Sequence, residues 1–132
     1  AVGAVHSGWR GTAKDIGPKA AAQMARLYGT RPEGMLAAVG PAICYRCFET
    51  DGDVPDALSS AFGGFSAPFI EKQEAKWHVD LAGLIAARLA WAGIPPQNIT
   101  LSGLCTACRA SEFWSHRRQG TARGVHAAFI AL

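Results

Sequence analysis

Val5-His6-Ser7-Gly8-Trp9-Arg10-Gly11-Thr12 lies between an apolar run and an amphipathic one, and its reading sets the architecture. Val2 to Val5 is short and apolar, which predicts a strand, and Gly8 and Gly11 then break the chain into a loop. Thr12 with Asp15 three residues later resembles a capping box, with Asp in place of the usual Glu or Gln. A helix is expected from about Pro18 to Tyr28, with Ala20, Ala21, Met24, Leu27 and Tyr28 at helical spacing and Gly29 as its cap.

The alternation continues downstream. Met35 to Val39 reads as a strand closed by Gly40-Pro41, and Asp53 to Phe62 as a short helix with Pro55 in its first turn. Gly63-Gly64 breaks the chain, and Phe65 to Ile70 fits either helix or strand. Asp80 is a good N-cap for a helix from Leu81 to Ala92, with Gly93 at its end. Pro95-Pro96 makes a turn, Ile99 to Leu101 begins a strand, and Val125 to Leu132 reads as a final apolar strand. Strands alternating with helices predict a layered α/β fold, and with no repeat or linker residues 1–132 read as a single domain.

The composition excludes several classes. With 132 residues, 49% of them apolar and 17% charged, the chain can bury a core and is neither disordered nor collagen-like. No apolar run approaches the roughly 18 residues that would span a bilayer, so no membrane partner is expected. The first residues lack the basic and apolar regions of a signal peptide, which predicts a cytoplasmic location. The chain opens without Met, directly in a strand-like run, as expected for a portion of a longer protein. Its net charge of +3 is concentrated: residues 109 to 126 hold Arg109, Arg117, Arg118 and Arg123 against Glu112 alone, which equals the whole excess. Such a patch suits one small anionic ligand better than a nucleic-acid groove, and a solvated arginine loop is the alternative.

Three stretches could carry chemistry. In the first, His6 ends an apolar run, Gly8 and Gly11 permit close backbone approach, and Arg10 adds a cation near a helix N-terminus. A lone histidine is more often structural. The second comprises Cys44-Tyr45-Arg46-Cys47 and Cys105-Thr106-Ala107-Cys108. Two CxxC pairs suggest a thiol-zinc module, but 57 residues separate Cys47 from Cys105 against the roughly 15 to 20 of compact four-cysteine sites. The spacing therefore favours free, partly buried thiols. In the third, Phe113 and Trp114 stand beside Arg117 and Arg118; aromatics with paired arginines can stack a planar ring and hold a phosphate, or can be core and solvated surface. His78 and His126 read as structural.

In their order along the chain these stretches resemble the YfiH/laccase-domain family. The family hallmark His-Ala-Gly-Trp-Arg-Gly-Thr is matched by His6 to Thr12, with Ser7 for Ala. Its Gly-Pro-Ala-Ile and aromatic-Glu stretch is matched by Gly40 to Ile43 and Phe48-Glu49. Its Cys-Thr, Phe-Phe-Ser-Tyr-Arg-Arg-Asp-Gly and Thr-Gly-Arg stretch is matched by Cys105-Thr106, Phe113 to Gly120 and Thr121 to Arg123. The departures are Trp114 for Phe, His116 for Tyr, Gln119 for Asp and Ala122 for Gly.

The resemblance implies an α/β/β/α layered fold like the catalytic domain of the cytotoxic necrotizing factors, of which this chain would be the C-terminal portion. It implies a metal site, usually zinc with copper as the other choice, built from two histidines and a cysteine. One histidine maps onto His6; the Gln-Val-His-Gly and Ala-Asp-Cys motifs that carry the others do not occur here. The substrate-side arginine maps onto Arg118. The implied activity is purine nucleoside phosphorolysis, with adenosine deaminase and methylthioadenosine phosphorylase activity, on small-molecule substrates and phosphate. Arg10, Arg117 and Arg118 would then hold an anion and Trp9 or Trp114 would stack the base, while this portion alone would be inactive. The family's other implied activity is copper-dependent polyphenol oxidation. It would call for closely spaced histidines, and the four here are scattered, without an HxH pair.

Overall fold

Short apolar runs become strands only where another strand offers its backbone, and that condition decides which parts of this chain are regular. The computed structural model describes residues 1–132. Along the chain come α1 (Trp9–Ala13), α2 (Ile16–Tyr28), β1 (Ala37–Val39), β2 (Glu49–Thr50) and α3 (Asp53–Phe62). They are followed by β3 (Ile70–Gln73), β4 (Lys76–Val79), α4 (Leu81–Trp91), β5 (Ile99–Leu101) and the short α5 (His116–Gln119). Strands β1 and β5 pair in parallel with Ala38 opposite Thr100, and β2-β4-β3 form an antiparallel sheet. The class is mixed α/β, as expected.

Two expected strands do not form. Val2 to Val5 and Val125 to Leu132 are exposed and pair with no strand of the chain. Conversely, β2, β3 and β4 escape the sequence reading because they are short and mostly polar. The β3–β4 hairpin also turns through Glu74 at a φ of 54°, without the Asn-Gly or Asp-Gly that marks such turns.

Helix α4 organises the interior. Leu84 packs with Val54, Leu58 and Val79, while Leu89 packs with Ala21, Met35 and Ile94, so one helix serves two clusters. Its start is capped as expected: the Asp80 carboxylate accepts the Gly83 N–H at 2.9 Å. A Cβ at Gly83 would sit 2.2 Å from that carboxylate, so the cap itself requires glycine there.

The capping box expected at Thr12 and Asp15 is replaced by something stronger. Thr12 lies inside α1, where its hydroxyl donates back to the Gly8 carbonyl at 3.1 Å. Asp15 takes a left-handed φ of 58° between α1 and α2, and its carboxylate accepts both the Nε and the terminal nitrogen of Arg88, at 3.0 and 2.7 Å. The charge-assisted, two-point bond outcompetes a neutral backbone N–H for the carboxylate. Arg88 is buried, with its guanidinium 4.3 Å from the Trp91 ring and 4.7 Å from that of Phe62. Helix α2 begins at Ile16, before Pro18, because the first turn needs no N–H from that proline. No helix of the chain is long and apolar enough to cross a membrane.

Candidate functional site

The loop that carries His6 is built on small residues. A Cβ at Gly8 would lie 3.2 Å from the His6 Nε2, and one at Gly11 would lie 3.3 Å from the His6 carbonyl oxygen. Both glycines therefore let the loop fold tightly over the start of α1. Buried Thr12 fastens it, with its hydroxyl 3.0 Å from that of Ser7 and 3.3 Å from the Ser7 carbonyl. His6 itself is exposed. Trp9 is half-buried and packs against the Val54–Leu58 cluster, and the Arg10 guanidinium covers its ring at 4.1 Å. One face of Trp9 is thus already occupied, so its availability to a planar ligand is smaller than the sequence suggests.

The arginine segment is organised around α5. Buried Ser115 precedes the helix, and its N–H donates to the Gln119 side-chain oxygen at 2.8 Å. The residue that departs from the family's Asp thus has a defined local function. Arg118 donates to the carbonyl of Phe113 and, at 3.4 Å, to that of Thr106. Arg117 donates to the carbonyl of Glu49. Trp114 is half-exposed, its backbone N–H donating to His126 Nε2 at 2.9 Å, and its indole lies so close over Gly124 that a Cβ there would come within 2.6 Å. His126 also meets the Phe113 ring edge-on at 5.6 Å. His78 is partly buried on β4, with Nδ1 3.2 Å from the Tyr45 carbonyl. Arg117, Arg118 and Trp114 thus share one segment, and His6, Trp9 and Arg10 another. No hydrogen bond, ion pair or ring contact joins the two groups.

The cysteines depart most from the sequence reading. Cys44, Cys47, Cys105 and Cys108 converge, with all four sulfurs within 4.8 Å of one another and those of Cys47 and Cys108 3.5 Å apart. Chain separation misled because β1 and β5 are parallel neighbours. The bridge from Ala42 to Cys105 extends their pairing, so the loops leaving the two strands emerge side by side. A signal was present: each CxxC follows the end of one of these two strands by four or five residues. Cys105 is buried, which opposes its ionisation, but the N–H groups of Cys44 and Cys108 point at its sulfur from 3.3 and 3.4 Å and bring its pKa down to about 6. Cys47, sharing a proton with Cys108 and partly desolvated, is pushed up to about 12. Four such thiols could hold a metal ion.

The family described as "Multi-copper polyphenol oxidoreductase laccase" matches residues 1–132. Purine nucleoside phosphorylase YlmD of Bacillus subtilis (strain 168) is 33% identical over 131 residues, covering 99% of this chain and 47% of that protein. Adenosine deaminase RL5, from an unknown prokaryotic organism, is 35% identical over 120 residues, covering 90% of this chain and 45% of its own length. The solved structure of Bacillus licheniformis hypothetical protein YfiH superposes with a TM-score of 0.81 at 33% identity, over 86% of this chain and 43% of that one. This chain therefore spans about half the length of the curated relatives it matches. It belongs to the multi-copper polyphenol oxidoreductase laccase family, the YfiH-like group whose hallmark begins at His6.

Proposed function

We propose that this chain supplies one side of the active site of a metal-dependent purine nucleoside phosphorylase with adenosine deaminase and methylthioadenosine phosphorylase activity. The observation that carries this reading is that one segment holds a half-exposed Trp114 together with Arg117 and Arg118, whose guanidinium groups are fixed on backbone carbonyls. The names of the related phosphorylases and deaminase support it. In phosphorolysis a phosphate oxygen bonds to C1′ of the ribose as the bond from C1′ to the purine nitrogen breaks, and the departing purine takes up a proton. The chemistry needs a held phosphate, a stacked base and a proton donor to the leaving nitrogen.

Arg118 has donors left after its bonds to two carbonyls and, with Arg117 and Arg10, would hold the phosphate. Trp114 would stack the base in preference to Trp9, whose ring is covered by Arg10. His6 would be one ligand of the metal, zinc in this reading, which when bound polarises an oxygen of phosphate or water. His6 belongs to no group of three or more metal-ligating side chains here, so the remaining ligands would come from elsewhere in the protein. The exposure of His6 fits a ligand completed from outside this chain.

The test is to incubate the full-length protein with adenosine and phosphate under metal-replete conditions and separate the products. Adenine with ribose 1-phosphate, or inosine and hypoxanthine, is the expected outcome; none of the four would reject the proposal. Arg118→Ala should raise KM for phosphate and lower kcat/KM by about 100-fold, the usual cost of a lost charge-stabilising donor. Arg118→Lys, which keeps the charge and loses the fork, should recover part of that.

A further inference from the structure

We propose that Cys44, Cys47, Cys105 and Cys108 form a tetrathiolate zinc site that pins together the loops following β1 and β5. A zinc ion with four sulfurs at about 2.3 Å sets sulfur–sulfur edges of about 3.8 Å. The sulfurs here already lie within 4.8 Å of one another, one pair at 3.5 Å, so only small side-chain movements close the tetrahedron. The donor set is all thiol, which selects a soft, tetrahedral ion, and four protein ligands leave no open position, as in structural rather than catalytic zinc sites.

The surroundings are already prepared for sulfur ligands. The N–H groups of Cys44 and Cys108 both donate to the Cys105 sulfur, an outer layer of bonds that orients a ligand before metal arrives. Each CxxC is folded into a turn, with Cys47 N–H donating to the Cys44 carbonyl at 3.0 Å and Arg109 N–H to that of Cys105 at 3.0 Å. Arg46 lies between two of the ligands in sequence, while Arg109, which follows a third, is paired with Glu112. Tyr45, in the first loop, is anchored to the β3–β4 hairpin through hydrogen bonds with Glu71 and Gln73.

The consequence reaches the arginine segment. Arg117 grips the carbonyl of Glu49, two residues beyond Cys47, and Arg118 reaches that of Thr106, next to Cys105. Zinc would therefore fix the loop that leads into β2, whose Glu49 holds Arg117, and the loop whose Thr106 holds Arg118, and act as a positioning element for both arginines. Only this last step rests on the phosphorylase reading; the metal site stands without it.

The test uses the full-length protein and its His6→Ala variant, so that any zinc held through position six is counted apart. Metal analysis of His6→Ala should find one equivalent of zinc per chain, released by an organomercurial that blocks thiols. Replacing zinc by cobalt(II) should give intense thiolate-to-metal charge-transfer absorption and the visible bands of a tetrahedral tetrathiolate. The Cys47→Ser/Cys108→Ser variant should lose that equivalent and show faster amide exchange across residues 113 to 119. Zinc absent from His6→Ala, iron in its place, or the four cysteines recovered as disulfides by mass mapping without reduction would each overturn the proposal. Nucleoside turnover is a separate readout: its absence with thiol-bound zinc present would sink the phosphorylase reading and leave this one standing.

Discussion

Asp15→Ala is expected to lower the stability of the folded chain by about 3 kcal/mol, read as a fall in the urea midpoint at unchanged slope. The reason lies in what it leaves behind. Arg88 is buried among Phe62, Phe65 and Trp91, and Asp15 is its only ion-pair partner, held at two points. Removing the carboxylate strands a guanidinium in an apolar box, and a buried uncompensated charge costs about 3 to 5 kcal/mol. The lower end applies because the Asp15 side chain keeps a quarter of its exposure. Alanine would add a further cost at a φ of 58°, where Asp is better tolerated, so Asp15→Asn should lose less. Making Arg88→Met together with Asp15→Ala should recover part of the loss, since replacing both partners avoids the stranded charge. A change below about 0.5 kcal/mol for Asp15→Ala would mean the pair contributes no more than a surface ion pair.

His6→Ala should cost nucleoside turnover at least about 100-fold, because even residues that merely orient a metal ligand typically change affinity or activity by 10- to 100-fold. The same substitution should leave stability nearly unchanged. His6 is exposed, and its loop is held instead by Thr12 bonding to Ser7 and Gly8. That separation matters: a histidine kept for folding would show the opposite pattern.

Helices α2, α3 and α4 were legible in the sequence because their signals are local, whereas the short α1 forms across Gly11 where a loop was expected, and α5 was not foreseen. Gly29 at a φ of 65° ends α2, and Asp80 caps α4 three residues before the N–H it accepts. Strands are settled by distant partners. Val2 to Val5 and Val125 to Leu132 carry the right residues and pair with no strand here, whereas the polar strands β3 and β4 form a hairpin that also pairs with β2. Asp15 shows the same limit at one residue: its spacing from Thr12 suggests a cap, and a side chain 73 positions away takes the carboxylate.

The candidate site divides along the same line. The hallmark from His6 to Thr12 and the arginines at 117 and 118 could be found by motif, because their residue types and order survive in the linear sequence. The cysteine cluster could not be judged by spacing. Cys47 and Cys105 are far apart along the chain and adjacent across a parallel strand pair, a relation that only β1–β5 pairing makes visible. The covering of Trp9 by Arg10 and the tether of Arg118 to Thr106 are likewise three-dimensional facts.

The most direct measurement is phosphate-dependent release of adenine from adenosine, followed side by side in the full-length protein and its His6→Ala variant with zinc in excess. A steep loss of turnover in a variant that, with zinc stripped from both proteins, melts at the parent's temperature is the predicted result. Unchanged turnover without the imidazole, or no adenine from either protein while a catechol is oxidised, would contradict the account.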